Sequence, residues 1–242
     1  MTISSTPATL PTLRNSAREL LNEFDAADGL AAYYALHHPP RRTTLILHRD
    51  SNADVDGFLV RCQTGIDLFR PLVTLRSRGP NAIPELIEEG MLPQRPYLIV
   101  VPASQVERLE PFLEITQETT NRILRLDPDR FRLAMNVLVV RSQDADGNPK
   151  VEMRSGDRVV ASAGVNWRSP IFAEVYVRVD PQYRGRGRGR AVVNALAGDL
   201  LKEGVTPLYN VVEGNEASLE LALQVGFVDT SAREVMAHAA RL

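Results

Sequence analysis

The stretch QYRGRGRGRAVV, residues 182–193, decides how this chain is read. Four arginines alternate with three glycines from Arg184 to Arg190, and an apolar run follows. An arginine-glycine segment that binds nucleic acid is normally embedded in low-complexity sequence. A turn that cradles an anion instead sits between a strand and a helix, so the flanks separate the two readings. On one side lies AEVYVRV (173–179), with strong β propensity. On the other, AVVNALAGDLL (191–201) places apolar residues at 192, 193, 196, 200 and 201, a helical stripe that ends at Gly204. Glycines at such a junction permit positive φ and a close backbone approach. The unpaired amides of the helix start then face the ligand, helped by the helix dipole. A tight structural turn is the plainer alternative. No Gly-Lys-Ser/Thr ending makes it a Walker loop, and it comes too late in the chain for a dinucleotide fingerprint.

Outward from this point the chain reads as a mixed α/β protein. Residues 1–12 are rich in Ser, Thr and Pro and read as frayed. One or two amphipathic helices follow between Arg14 and Leu36, broken near DAADG and stopped by Pro39 and Pro40. Then come a hairpin (TTLILHRDSNADVDGFLVRC), a strand (PLVTLRS), a helix (NAIPELIEEGML), a strand (PYLIVV), a helix running into a strand (SQVERLEPFL) and a further strand (NRILRL). After DPDRFRL the order restarts. MNVLVVRSQ reads as a strand, KVEMRSGDRVVASAGVNW as a hairpin, and IFAEVYVRV as the strand before the glycine turn. After the helix come a strand (TPLYNVV), a helix from Asn215 or Ser218 to Gly226, and a last strand (REVMAHAA). Two halves of similar order are therefore expected, 1–130 and 131–242. Where the second has YRGRGRGR, the first has LRSRGPNAIPEL, with one glycine in place of three.

Bulk properties narrow the function classes. The formal net charge of −2 argues against nucleic acid or an anionic membrane as the partner of the whole chain. A single cysteine, Cys62, excludes intrachain disulfides and cysteine clusters. The histidines (His37, His38, His48, His238) lack metal-ligand spacing, so no metal is expected. The start of the chain lacks a charged segment followed by an apolar one, and no apolar run approaches the ~18 residues needed to span a bilayer. The expectation is a cytoplasmic protein.

VRVDPQYRGRGRGRAVV resembles the acyl-CoA-binding motif of the GNAT superfamily of N-acyltransferases, with Arg184, Gly187 and Gly189 in the motif positions and Val179, Pro181 and Tyr183 before them. NEASLELALQVGF, beginning 26 residues after Gly189, is similar to the family's second signature. The resemblance covers roughly 134–240. It implies a GNAT-like acyl-CoA-binding fold, and it implies that the first half is a degenerate copy without the cofactor turn. It further implies that Val177, Arg178 and Val179 hold the pantetheine arm of acetyl-CoA. The pyrophosphate would lie on Arg184, Gly185, Arg186, Gly187, Arg188, Gly189 and Arg190, with Asn215 and Ser218 beside the cofactor. For those last two residues a plain helix cap is an equal reading.

In such chemistry the acyl group passes directly to a nearby amine, so proximity does much of the work. The amine must shed a proton, and the leaving sulfur must gain one. Glu174 is the candidate base, on a face shared with Tyr176 and Arg178. The family's usual acid is a tyrosine where this chain has Ala222, so Tyr209 or Tyr176 would have to replace it. Asn166 and Trp167 are candidates for an acceptor pocket, and Cys62 reads as a small buried side chain. The resemblance thus implies an acetyl-CoA-dependent N-acetyltransferase acting on a primary amine of a small molecule or peptide. A non-catalytic CoA-binding or regulatory module is the alternative, favoured by Ala222.

Overall fold

The structure is a computed structural model and describes residues 9–65, 67–79, 81–134, 136, 138–144 and 147–242. The expected frayed start lies largely outside the described residues, as do Met135 and Val137 of the expected strand MNVLVVRSQ. The elements in chain order begin with α1 (Leu10–Arg18), α2 (Gly29–Ala32) continued by a π-turn to His37, β1 (Thr43–Arg49), β2 (Val55–Cys62) and β3 (Leu72–Ser77). Next come α3 (Ala82–Gly90), β4 (Pro96–Pro102), α4 (Val106–Leu109), β5 (Leu113–Leu126), β6 (Val139–Gln143), β7 (Pro149–Ser155) and β8 (Arg158–Arg168). The last are β9 (Phe172–Val179), α5 (Arg188–Lys202), β10 (Thr206–Val212), α6 (Glu216–Val225) and β11 (Phe227–Arg241).

These elements form two compact units, and the dividing lines differ from 130/131. The first unit runs to Thr119 and takes back Glu234–Leu242, while the second is Thr120–Arg233. The reason lies in two long strands. NRILRL is not a strand of its own but the second half of β5, and REVMAHAA is part of the fifteen-residue β11. Each of these strands gives one half to each unit. In the first unit, Glu234–Ala240 of β11 pair antiparallel with β4, and Thr119 Oγ1 donates to the Met236 carbonyl at 3.1 Å. In the second unit, Asn121–Arg125 of β5 pair antiparallel with β10, and Thr230 Oγ1 donates to the Ile123 carbonyl at 2.6 Å.

Within each unit the order is the same. A hairpin leads to a strand, a helix and a second strand parallel to the first: β3–α3–β4 in one, β9–α5–β10 in the other. The core of the first unit gathers the buried face of α3 (Ile83, Leu86, Ile87) with Leu59, Leu75, Tyr97 and Ile99. In the second unit α5 buries Val192, Val193, Leu196, Ala197 and Leu200 completely, one side of a helix by spacing. Each valine or leucine so buried contributes about 1.5–3 kcal/mol relative to exposure. Asn194 is buried on the same helix because both ends of its amide are used. Its Oδ1 accepts from the Ala134 amide at 2.8 Å, and its Nδ2 donates to the Arg132 carbonyl at 2.9 Å. This pair ties the segment before β6 onto α5.

Candidate active site

The parallel pairing of β9 with β10 is short. Among the described residues it joins Phe172, Ala173 and Glu174 to Thr206, Pro207 and Leu208 and ends there. The two strands part there: beyond it β10 keeps β5 on its far edge and β9 keeps β8 on its own, while their facing edges separate. A cleft of about 570 Å³ lies beside the parting. Val177, Val179 and Tyr209 line its strand side, and Ala217, Leu221 and Gln224, one stripe of α6, line another. The turn and first residues of α5 close it.

That turn is built by its glycines. Gly185 and Gly187 have φ of +71° and +69°, a left-handed backbone that other residues adopt only at a cost. Gly187 is the N-cap of α5 and brings no side chain to satisfy the first amides. The first intrahelical bond runs from the Ala191 amide to the Gly187 carbonyl at 3.0 Å. The amides of Arg188, Gly189 and Arg190 therefore belong to the unpaired first turn, at the positive end of the helix dipole. The helix thus starts three residues earlier than its apolar run, inside the arginine-glycine stretch. Gly189 serves a different need. A Cβ there would stand 2.8 Å from Leu221 Cδ1 and 3.1 Å from Val179 Cγ2, so its absence lets α5 close against β9 and α6.

Arg184, Arg188 and Arg190 also line the cleft. Arg190 is held to Gln224 Oε1 at 3.2 Å, and Arg188 lies 4.7 Å from the centre of the Tyr183 ring. Nη1 of Arg188 is buried without a hydrogen-bond partner among the described residues. A buried guanidinium nitrogen left open beside a turn of free amides is what an anionic oxygen would complete. The residues present thus fit a phosphate-bearing group.

Tyr209 is 3% exposed, and its hydroxyl shares a hydrogen bond with Ser218 Oγ at 3.1 Å. Burial pushes its phenol above the usual tyrosine range, against the smaller opposing effect of Ser218. Asn215 Oδ1 accepts from the Ser218 amide at 3.2 Å, so Asn215 caps α6 and lines the cleft at once. Glu174 sits where β9 and β10 part. Asn166 Nδ2 donates to one carboxylate oxygen at 2.8 Å and Trp167 Nε1 to the other at 2.5 Å. Burial pushes this carboxyl above the usual glutamate range, with those two donors opposing.

The structure therefore gathers most of the expected residues in one cleft: Val177, Val179, Arg184, Gly185, Gly187, Arg188, Gly189, Arg190, Tyr209, Asn215 and Ser218. Arg178, Arg186 and Glu174 are not among its lining. Arg178 alternates to the other face of β9 and lies 5.3 Å from the Tyr176 ring centre, while Arg186 points to Tyr183 at 6.0 Å. Asn166 and Trp167, expected in an acceptor pocket, hold the Glu174 carboxylate. The α6 stripe of Ala217, Leu221 and Gln224 was missed by sequence reasoning, although its four- and three-residue spacing carries the signal. Cys62 is fully buried, and burial pushes its thiol up to about 12. Among the described residues no cluster of His, Cys, Asp and Glu has metal-site geometry, and no helix is long and apolar enough to cross a membrane.

Among the described residues of the first unit, none after β3 forms a left-handed glycine turn of this kind. After β3, the Gly79 carbonyl accepts from Arg108 Nη2 of α4 at 2.9 Å and from Ser77 Oγ at 2.6 Å.

Comparison with known proteins agrees with this geometry. Residues 113–227 match the family model described as Acetyltransferase (GNAT) family. The N-alpha-acetyltransferase RimI of Mycobacterium tuberculosis (strain ATCC 25618 / H37Rv) is 42% identical over 84 residues, 33% of this chain and 52% of that protein. The chain thus spans about half the length of the curated relative it matches. Among solved structures, a GCN5-related N-acetyltransferase from Sphaerobacter thermophilus aligns with a TM-score of 0.63 at 11% identity, over 97% of this chain and 94% of that one. A tandem GNAT protein from the clavulanic acid biosynthesis pathway aligns with a TM-score of 0.57 at 14% identity, over 94% and 92%. At such identities these two matches speak for the fold alone. The glycine turn, the parted strands and all but the first seven residues of 113–227, the stretch that matches the GNAT acetyltransferase family model, lie in the second unit.

Proposed function

We propose that the chain is an acetyl-CoA-dependent N-acetyltransferase whose second unit binds the cofactor in the cleft and passes the acetyl group to an amine. The observation that carries this reading is the cradle: two left-handed glycines, the free amides of α5 and the open Nη1 of Arg188 lining one cleft. Amides and arginines there would hold the pyrophosphate. The edge of β9 beyond Glu174, left by β10, offers backbone groups to the amide-bearing arm.

When bound, acetyl-CoA supplies a thioester whose acyl carbon an amine can attack directly. The C–N bond forms, the C–S bond breaks, the amine loses a proton and the sulfur gains one. Tyr209 keeps its proton at neutral pH, because burial raises its phenol, and its hydroxyl borders the cleft. It is the donor for the leaving sulfur in place of the residue replaced by Ala222. Glu174 lies on the face of β9 opposite to Val177 and Val179, at the parting of the strands. An amine approaching from that face would meet a carboxylate made more basic by burial. The acceptor is an amine of a small molecule or peptide. The likeness to a RimI protein named for N-alpha-acetylation makes peptide α-amines the first to try.

Calorimetric titration with acetyl-CoA, followed by thiol release over an amine panel led by short peptides, tests the proposal. One site per chain with turnover is expected. Absence of binding overturns it. Binding without release on any amine would favour a non-catalytic CoA-binding module, the reading that Ala222 supports.

A further inference from the structure

We propose that the first unit carries a second anion site, independent of the cleft, for a phosphate group bounded by Arg41, Arg42, Arg61 and Arg95. These four arginines line a cavity of about 170 Å³ at the ends of β1, β2 and β4, with Thr43 and Thr44 beside them. No carboxylate lines it. Arg41, Arg42 and Arg95 form no ion pair with any described residue, and Arg61 donates to a carbonyl, that of Gly90, at 2.7 Å. Other arginines of the same unit do have acidic partners, Arg76 with Asp28 and Arg70 with Asp67. The whole chain carries a net charge of −2, so this concentration of positive charge is local.

Two of the guanidinium groups, those of Arg61 and Arg95, have side-chain supports, and Arg42 has a fixed backbone. Arg42 belongs to a turn closed by its amide bond to the Pro39 carbonyl at 3.0 Å, and its own carbonyl accepts from the Gln63 amide at 2.9 Å. Arg61 is opposite Thr44 in the β1–β2 ladder and is tied to the last turn of α3. Arg95 lies 5.9 Å from the centre of the buried Tyr97 ring. Arg61 and Arg95, held in advance, lose little freedom when an anion arrives, and planar arginine forks match phosphate oxygens in pairs. Drug-sized sites occupy about 300–1,000 Å³, and a water takes about 30 Å³ of liquid. This cavity therefore suits a phosphate group with a few waters and is too small for a nucleotide. The shared chemistry is the phosphate dianion, free or as the end of a small ester.

The test is calorimetry on the full chain with inorganic phosphate and with glycerol phosphate, at constant ionic strength. Saturable binding is expected to survive in Gly187→Val, where the cleft cradle is broken. In that background it should weaken about tenfold or more, equivalent to about 1.4 kcal/mol, when Arg41→Ala and Arg42→Ala are added. Arg95→Ala should weaken it as well and carries the test if that combined variant melts early. Because arginine stays charged, affinity for the ester should rise with pH through about 6, where its second proton leaves. Tighter binding of glycerol phosphate assigns an ester, and equal binding assigns free phosphate. Affinity unchanged in the arginine variants, or lost in Gly187→Val, overturns the proposal, as does heat that follows ionic strength without saturation.

Discussion

Gly187, Tyr209 and Glu174 each carry a consequence that a single substitution exposes. Valine at 187 would force a β-branched residue to φ near +69°, a conformation that costs such residues dearly. The space around that Cβ is otherwise open, the nearest atom being Arg190 Nη2 at 4.0 Å. Gly187→Val should therefore disturb the turn but not the core. Acetyl-CoA affinity is expected to fall about tenfold or more, with the far-UV spectrum kept; calorimetry and circular dichroism check both halves. Tyr209→Phe removes the proposed proton donor and keeps the ring against Phe227. Its kcat should fall about a hundredfold, the lower end for a lost general acid, with little change in acetyl-CoA Kd. For Glu174 the folded carboxyl value lies above the unfolded one. The stability it contributes is fully present below the usual carboxylate range and is lost as pH rises through the folded value. The Tm of the native chain should thus decline over that window more steeply than that of Glu174→Gln, in parallel thermal melts. The sequence offered Glu174 as a base. It did not reveal that Asn166 and Trp167 hold the carboxylate, because a bulge between Val165 and Trp167 sets that register.

At the scale of elements, α5 and α6 show how one residue can serve fold and cleft together. Asn215 caps α6 by accepting from the Ser218 amide and also borders the cleft. Asn215→Ala should lower stability by about 1 kcal/mol in denaturant melts, while Asn215→Ser should restore most of it. If Asn215 also touches the cofactor, acetyl-CoA affinity stays reduced in the serine variant. Helix limits were legible where punctuation is local: Gly204 and Gly226 end α5 and α6 as read. The start of α5 was less so. Arg188 and Gly189 are poor markers of a helix, and only the left-handed turn at Gly187 shows that they belong to it. The parting of β9 from β10 was equally hidden, since neither strand alone tells where the pairing of two distant segments stops.

For the whole molecule, β11 makes the end of the chain a part of the first unit. Removing Glu234–Leu242 would strip β4 of an antiparallel neighbour and take Val235, Ala237 and Ala239 from the core of that unit. Hydrogen exchange on the shortened chain should show protection lost first in Pro96–Pro102, with α5 keeping its own. Loss confined to the second unit would contradict this assignment. The sequence by itself determined most of the strands and helices, the glycine turn between strand and helix, and the repeated order of the two halves. Those features rest on periodicity, propensity and turn chemistry, all of which act over a few residues. Only the tertiary structure decided that β5 and β11 each serve both units, that Glu174 stays outside the cleft lining, and that four arginines from three segments of the chain line one cavity. Strand partnership and side-chain convergence arise from pairings between distant segments. A strand's alternation says which face is buried, but not which neighbour lies beside it.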